Sequence, residues 1–452
     1  MLAFLVPDIE FINGEHTMGV RDVRVIGSTD LSLGRVAIAA ILAVIGTLGL
    51  FWSMLQLQLV SGAWMLTGGV VDVQFPVRVY NVIWLAVRAI LGLYISFVVL
   101  VIALQLVGSY RQMVSTDVHE HETEATEEVR RTSLLRFNDV QVYAHGLIAL
   151  SILLLWVTGL PLTFNEALGW VYDLLGGRNA ILLHGVLGGL LSVTIIFYLV
   201  YGFLGVMTGE SSFRNMMPKP EDIHEGIAQV KYLLGRGPEP VSGKYTVLQK
   251  AESWIIVFES VVMLWTGLLL WSATVSTRSP FALDTLMTQW PAPFMMILRD
   301  IHAIVAVTML AGITFHLFMN HIKEWPIDLS IFTGAVDLGR ACEEWQRWTE
   351  ERTGLSEIPC EEYAWRPALT VGALVGMGVF AMVWLGAVLQ YTLAPLPTGN
   401  LSVLRDIQPA GLPGGWLGAI FTVGLNLAFL VVLLAIVALL WGFMTRWFGA
   451  RA

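Results

Sequence analysis

One apolar stretch, residues 299–320, constrains the fold more than any other part of the sequence. It is mostly apolar over about twenty positions, the length of helix that crosses the hydrocarbon layer of a membrane. His302 and His316 lie within it, fourteen residues apart. Fourteen residues are close to four helical turns and rise by roughly 21 Å, so both imidazoles lie on nearly one face at two depths. The stretch therefore predicts a membrane helix that offers two ligands, unless each histidine only hydrogen-bonds a carbonyl of a neighbouring helix.

The composition of the whole chain agrees with a membrane protein. Hydrophobic residues make up 56% and charged residues 13% of the 452 residues, outside the range of ordinary soluble domains. The long apolar runs lie at about residues 36–55, 81–107, 140–162, 180–206, 253–272, 296–320, 368–393 and 416–445. We therefore expect an all-α integral membrane protein with eight transmembrane helices.

The distribution of basic residues predicts the orientation of these helices. The N-terminal segment and the loops at 108–139, 207–252, 321–367 and 446–452 carry 3, 4, 6, 5 and 2 Lys or Arg residues, and the opposite loops carry five in total. Because basic residues stay on the cytoplasmic side, both termini are expected in the cytoplasm. The net charge of −9 argues against nucleic acid as a partner.

This topology places two further histidines at matching depths. His184, early in the fourth span, lies at the outer level of His302, and His145, early in the third, lies at the inner level of His316. Two neutral imidazoles that face each other fill both axial positions of a b-type haem iron. Small residues near these ligands leave room for a macrocycle, namely Gly185, Gly188, Gly189 and Gly312. The pattern predicts a four-helix bundle with two stacked haems at the centre of the protein.

The cysteine content limits how a haem can be attached. Cys342 and Cys360 are too few for a disulfide framework or for an iron–sulfur cluster within this chain. The sequence also lacks a Cys-x-x-Cys-His motif for covalent attachment. Any haem is therefore expected to be non-covalent.

Several stretches together resemble a known family. Residues 136–145 end in Tyr-Ala-His145, residues 183–185 read Leu-His-Gly, residues 243–250 read Gly-Lys-Tyr-Thr-Val-Leu-Gln-Lys, and His302 precedes His316 by fourteen residues. Over about residues 136–335 the chain resembles the gamma (cytochrome b) subunit of membrane formate dehydrogenases and the related subunits of nickel–iron hydrogenases and thiosulfate reductases. Thr246 and Leu248 stand where that family usually has Asn and Gly.

The resemblance implies an electron-transfer subunit in the cell membrane of a prokaryote. The implied axial ligands of two haems b are His145, His184, His302 and His316. Electrons would pass between a partner iron–sulfur subunit and menaquinone or ubiquinone, while a separate catalytic subunit performs the substrate chemistry. The candidate quinone contacts at the inner membrane level are Tyr245, Thr246 and Gln249. No catalytic residue is predicted in this chain.

The predicted organisation has five parts. Residues 1–110 and 367–452 form two-helix membrane extensions that cover the bundle or contact further membrane subunits. Residues 111–135 form an acidic cytoplasmic linker, 136–335 the di-haem domain, and 336–366 a cytoplasmic connector. The alternative function is a transporter or channel without haem, whose buried His, Glu and Arg residues line a polar path. Inverted repeats or broken helices would favour that alternative, and the sequence shows neither clearly.

Overall fold

The computed structural model describes the central part of the chain and pieces of its ends. The described residues are 11–12, 15–18, 23–26, 34–48, 132–208, 211–275, 292–317, 320–321, 328–354 and 415–449, with single positions between 86 and 108. Most of the predicted span at 81–107, the whole span at 368–393 and Cys360 lie outside them.

Helices dominate this described part. In chain order they are α1 Gly34–Leu48, α2 Asp139–Thr163, α3 Asn165–Leu175, α4 Gly177–Met207, α5 Ser211–Met216, α6 Glu221–Leu233, α7 Val247–Val275, α8 Ala292–Leu317, α9 Ser330–Thr333, α10 Leu338–Glu344, α11 Gln346–Thr353 and α12 Gly415–Gly449. Four of them, α2, α4, α7 and α12, contain stretches long and apolar enough to cross a membrane. The prediction of a mostly helical membrane protein is confirmed, and among the described residues four of the eight predicted spans meet that criterion.

Local sequence sets where two of the long helices begin. Asn138 and Gln141 form a capping box at the start of α2, in which each side chain accepts a hydrogen bond from the backbone N–H of the other. Thr246 and Gln249 form the same arrangement at the start of α7. These bonds satisfy amide groups that the first helical turn leaves open. Within the bundle α2 packs mainly on α4, and α7 packs mainly on α8.

A small sheet corrects the prediction of an all-α fold. Its strands are β1 Phe11–Ile12, β2 Glu15–Met18, β3 Val23–Ile26, β4 Thr132–Leu135 and β5 Ala335–Asp337, in that spatial order. The β3–β4 pair is parallel and the other pairs are antiparallel, with Leu134 opposite Val336. Each strand has at most four residues, too few for an alternating pattern to mark it, and the β3–β4 and β4–β5 pairs join segments that lie far apart in sequence.

A second hydrophobic core joins strands β4 and β5 to the short helices α10 and α11. It consists of Leu134, Val336, Leu338, Ala341, Trp345 and Trp348. The guanidinium of Arg136 stacks on Trp345, with 3.4 Å between its central carbon and the ring centre, and lies 3.6 Å from the Asp328 carboxylate. Burial lowers the pKa of Arg136, and the Asp328 carboxylate acts in the opposite direction. The described part of the expected connector, residues 336–354, thus forms a packed cap, in which Cys342 is disulfide-bonded.

Candidate functional site

The four histidines predicted as ligands lie on three helices and meet in two pairs. His184 on α4 and His302 on α8 have ring centres 6.3 Å apart, with ring planes at 71°. His145 on α2 and His316 on α8 have ring centres 6.2 Å apart, with ring planes at 36°. The structure therefore brings together the residues that the depth argument paired.

Each histidine of the first pair contacts a threonine on the neighbouring helix. His184 Nδ1 lies 2.8 Å from Thr158 Oγ1 on α2, and His302 Nδ1 lies 2.8 Å from Thr266 Oγ1 on α7. We call His184 and His302 the threonine-bound pair. Neither threonine was predicted as a site residue.

The second pair has a different polar environment. His316 Nδ1 lies 3.2 Å from Glu252 Oε1 and 3.2 Å from Asn320 Nδ2. The Asn320 amide also donates to Glu252 Oε2 at 3.3 Å, which links both side chains to the imidazole. We call His145 and His316 the glutamate-bound pair. A carboxylate therefore lies beside one histidine pair, while neutral hydroxyls contact the other.

The predicted quinone contacts lie at the start of α7, next to the glutamate-bound pair. Gln249 accepts hydrogen bonds from the Thr246 backbone N–H at 3.1 Å and from Trp345 Nε1 at 3.3 Å, and donates to Asn320 Oδ1 at 3.1 Å. The Thr246 hydroxyl accepts from the Gln249 backbone N–H at 3.2 Å. Tyr245 is buried, and its ring lies 5.6 Å from Lys244 Nζ. The side chains of Thr246 and Gln249 thus cap the helix and join the cap to the polar network.

Three glycines on the helices that carry the histidines are bordered by open space. A Cβ atom built on Gly188, Gly189 or Gly312 would meet nothing within 4 Å. All four histidines are only partly buried by the protein itself. Within the described ranges, no group of three or more His, Cys, Asp or Glu side chains is arranged to hold a bare metal ion. The described part of the site therefore offers paired imidazoles rather than a compact metal cage.

Two further ionisable residues, Glu259 and His321, lie in or near this bundle. Glu259 on α7 is buried, with 2% of its surface exposed, and interacts with other groups. His321 follows α8, and its Nδ1 atom lies 3.2 Å from the Asp328 backbone carbonyl oxygen. Burial lowers the pKa of His321. Neither residue belongs to a histidine pair that spans two helices.

A repeated dipeptide signals the threonines that sequence reasoning missed. Thr158-Gly159 lies in Leu-Trp-Val-Thr-Gly-Leu of the third span, and Thr266-Gly267 lies in Leu-Trp-Thr-Gly-Leu of the fifth. The two segments share Leu-Trp and Thr-Gly-Leu, but such short apolar matches are common in membrane helices. The dipeptide is identified as part of the site only by the structure, in which each threonine contacts a histidine of another helix.

The fold and site together define a mostly helical membrane protein with paired imidazoles inside its bundle. Comparison with protein families agrees with this class, because residues 136–334 match the family described as prokaryotic cytochrome b561. The match covers less than half of the chain. It supports a cytochrome b family, and with it haem b, electron transport and a membrane location. Searches of curated proteins and of solved structures gave no match. The more specific resemblance to the formate dehydrogenase gamma subunit stays a prediction.

Proposed function

We propose that this chain is the membrane cytochrome b subunit of a respiratory oxidoreductase and holds two haems b. The observation that carries the proposal is the separation of the ring centres, 6.3 Å in the threonine-bound pair and 6.2 Å in the glutamate-bound pair. Two imidazoles on opposite sides of one metal, each bound at about 2.0 Å, have ring centres roughly 6 Å apart. Both pairs therefore fit a six-coordinate iron between them.

The free volume supports the same assignment. Two histidines that only stabilised the helix bundle would be packed by neighbouring side chains, because protein interiors are closely packed. Here the positions of Gly188, Gly189 and Gly312 are bordered by open space. The largest hydrophobic cluster of the described residues draws on α2, α4 and α8, the helices that carry the histidines.

The chain's own contribution is to hold ligands and to control their surroundings. Haem b supplies a one-electron carrier when bound. The residues of α2, α4, α7 and α8 hold the imidazoles at fixed separations, and the two polar environments tune the two sites separately. Two carriers stacked across a bundle can connect electron transfer on one membrane side with quinone chemistry on the other.

We place the quinone next to the glutamate-bound pair, near Tyr245, Thr246 and Gln249. Support comes from the polar network there, which offers hydrogen-bonding groups beside one histidine pair. The amide of Gln249 is already engaged by Trp345 and Asn320. A quinone carbonyl would therefore bind by replacing one of these partners, with menaquinone and ubiquinone equally compatible.

We place the iron–sulfur partner at the opposite end of the bundle, near the α3 segment and the loop around 273–299. Leu174 of α3 is an exposed apolar side chain, with 76% of its surface accessible, next to the half-exposed Trp170. Apolar side chains exposed beyond a membrane span favour contact with another subunit. Substrate chemistry is assigned to a further catalytic chain. Cross-links confined to the 207–252 and 321–367 loops would contradict this placement.

Haem content of the purified full chain tests the proposed function. We expect two non-covalent haems b per chain in a pyridine haemochrome assay, with a reduced spectrum typical of six-coordinate iron. One haem per chain would refute the two-site assignment. A chain purified without haem would instead favour the transporter or channel interpretation.

A further inference from the structure

The threonine contacts of one histidine pair repeat with the same geometry on two different helices. Thr158 Oγ1 and Thr266 Oγ1 each lie 2.8 Å from the Nδ1 atom of their histidine. Both threonines are buried, with 1% and 3% of their surface exposed. In each case the threonine belongs to the helix that packs most closely on the histidine's helix.

The hydrogen-bond partners of the threonines determine the direction of these contacts. Thr158 Oγ1 lies 3.1 Å from both the Leu154 and Leu155 carbonyl oxygens, and Thr266 Oγ1 lies 2.8 Å from the Val262 carbonyl oxygen. A hydroxyl carries one proton, and here that proton is donated to a helix carbonyl. The hydroxyl oxygen therefore accepts a hydrogen bond from the imidazole Nδ1–H. This tautomer leaves the Nε2 lone pair of each histidine available to a metal.

The glycine that follows each threonine is needed for the same contact. A Cβ atom on Gly159 would lie 2.8 Å from His184 Cε1, and a Cβ atom on Gly267 would lie 3.2 Å from His302 Cε1. The first distance excludes a side chain unless the imidazole moves, and the second requires a smaller adjustment. Each Thr-Gly dipeptide therefore combines a hydrogen-bond acceptor with a surface on which the ring can lie.

We propose that Thr158-Gly159 and Thr266-Gly267 are paired positioning elements that select the Nδ1–H tautomer and fix the ring orientation of His184 and His302. The inference rests on the proposed haem function and extends it. Hydrogen bonding at Nδ1 raises the basicity of the ligand, which favours the oxidised iron and lowers the reduction potential. The effect is confined to the threonine-bound pair, because His316 contacts Glu252 and Asn320 instead.

Isosteric variants test this proposal in the full chain. Thr158→Val and Thr266→Val remove the hydroxyl but keep the volume, whereas Thr158→Ser and Thr266→Ser restore it. Thr308→Val is the matched control, since Thr308 is 1% exposed and, among the described residues, its hydroxyl donates to the Ile304 carbonyl oxygen of its own helix rather than contacting a histidine. Spectroelectrochemical titration gives the potential of each haem, and the His184→Ala variant identifies the bands of the site that remains.

We expect each Val variant to shift the potential of the haem at the threonine-bound pair upwards and to weaken its binding by roughly tenfold or more. The Ser variants should restore both values, and the other haem should be unaffected. An unchanged potential in Thr158→Val and Thr266→Val, or an equal shift in Thr308→Val, would overturn the proposal. If the wild-type chain holds two haems and one of these two results is obtained, only the threonine proposal fails and the proposed function stands. A wild-type chain without haem would refute both the threonine proposal and the proposed function.

The glycines provide an independent readout. Gly159→Ala should reduce haem occupancy at the threonine-bound pair, because the added methyl group displaces the His184 ring. Gly46→Ala on α1 is the control, since its Cβ atom would lie at an ordinary 3.5 Å from Ile196 Cγ2. Full occupancy and an unchanged spectrum in Gly159→Ala would show that the glycine does not help to seat the ring.

Discussion

Replacement of Glu252 by Gln should raise the potential of the haem at the glutamate-bound pair, because it removes a negative charge and keeps the shape of the side chain. The carboxylate lies 3.2 Å from His316 Nδ1. One imidazole ring and one coordinate bond of about 2.0 Å separate that nitrogen from a bound iron, so the charge lies roughly 7 Å from the metal. At an effective dielectric constant of about 20 the interaction amounts to about 2 kcal/mol. This energy corresponds to an upward shift on the order of 100 mV for a one-electron carrier.

Redox titration of the purified Glu252→Gln chain measures this shift directly. Glu225→Gln is the matched control, because Glu225 lies near the same end of α7 and bonds Ser242 Oγ and the Val247 backbone N–H rather than a histidine. We expect the control to shift the potential by a small fraction of the main effect. An unchanged potential in Glu252→Gln, or a shift only in the haem at the threonine-bound pair, would refute the reasoning.

Three further predictions follow from other contacts of the same bundle. His184→Ala and His302→Ala should each remove the same haem and leave about one per chain, and loss of different haems in an absorption spectrum would contradict the pairing. Burial raises the pKa of Asp222, but the hydrogen bonds and charges of Lys250 and Lys219 together outweigh burial and leave that pKa below its ordinary value. The stability that this contact gives to α6 is therefore complete above the unfolded pKa of about 3.9 and is lost as the pH falls through the lower folded pKa. Hydrogen exchange at acidic pH should show this loss as earlier opening of α6. The Asp222→Asn variant should not show this pH-dependent change. Gln249→Ala should slow haem reoxidation by a quinone analogue with both haem spectra unchanged, and unaltered kinetics would move the quinone elsewhere.

The histidine pairs could be derived from the sequence because they depend on local regularities. The fourteen-residue spacing fixes His302 and His316 on one helix face, and span direction gives the depth of His145 and His184. The structure places these residues with ring centres 6.2 and 6.3 Å apart. Their role as haem ligands stays a prediction.

Contacts between distant segments could not be derived in the same way. Thr266 and His302 are 36 residues apart, and Trp345 and Gln249 are 96 residues apart, so no periodicity relates them. The contact of Trp345 with Gln249 also changes the expected role of the connector, because this indole closes the polar network beside the glutamate-bound pair. The composition of that segment, rich in charged and aromatic residues, does not predict which of its side chains contacts the polar network.

The two environments make a joint prediction that neither makes alone. Removing the Glu252 charge raises the potential of one haem, and removing the hydroxyls of Thr158 and Thr266 raises the potential of the other. The potential of the haem at the threonine-bound pair minus that at the glutamate-bound pair should therefore decrease in Glu252→Gln and increase in the double Thr→Val variant. Combining all three substitutions should return the difference towards the wild-type value, because the sites lie on different parts of the bundle and their effects add. A difference that moves in the same direction in both variants would mean that the substitutions act through a general change of the bundle rather than through the individual ligands.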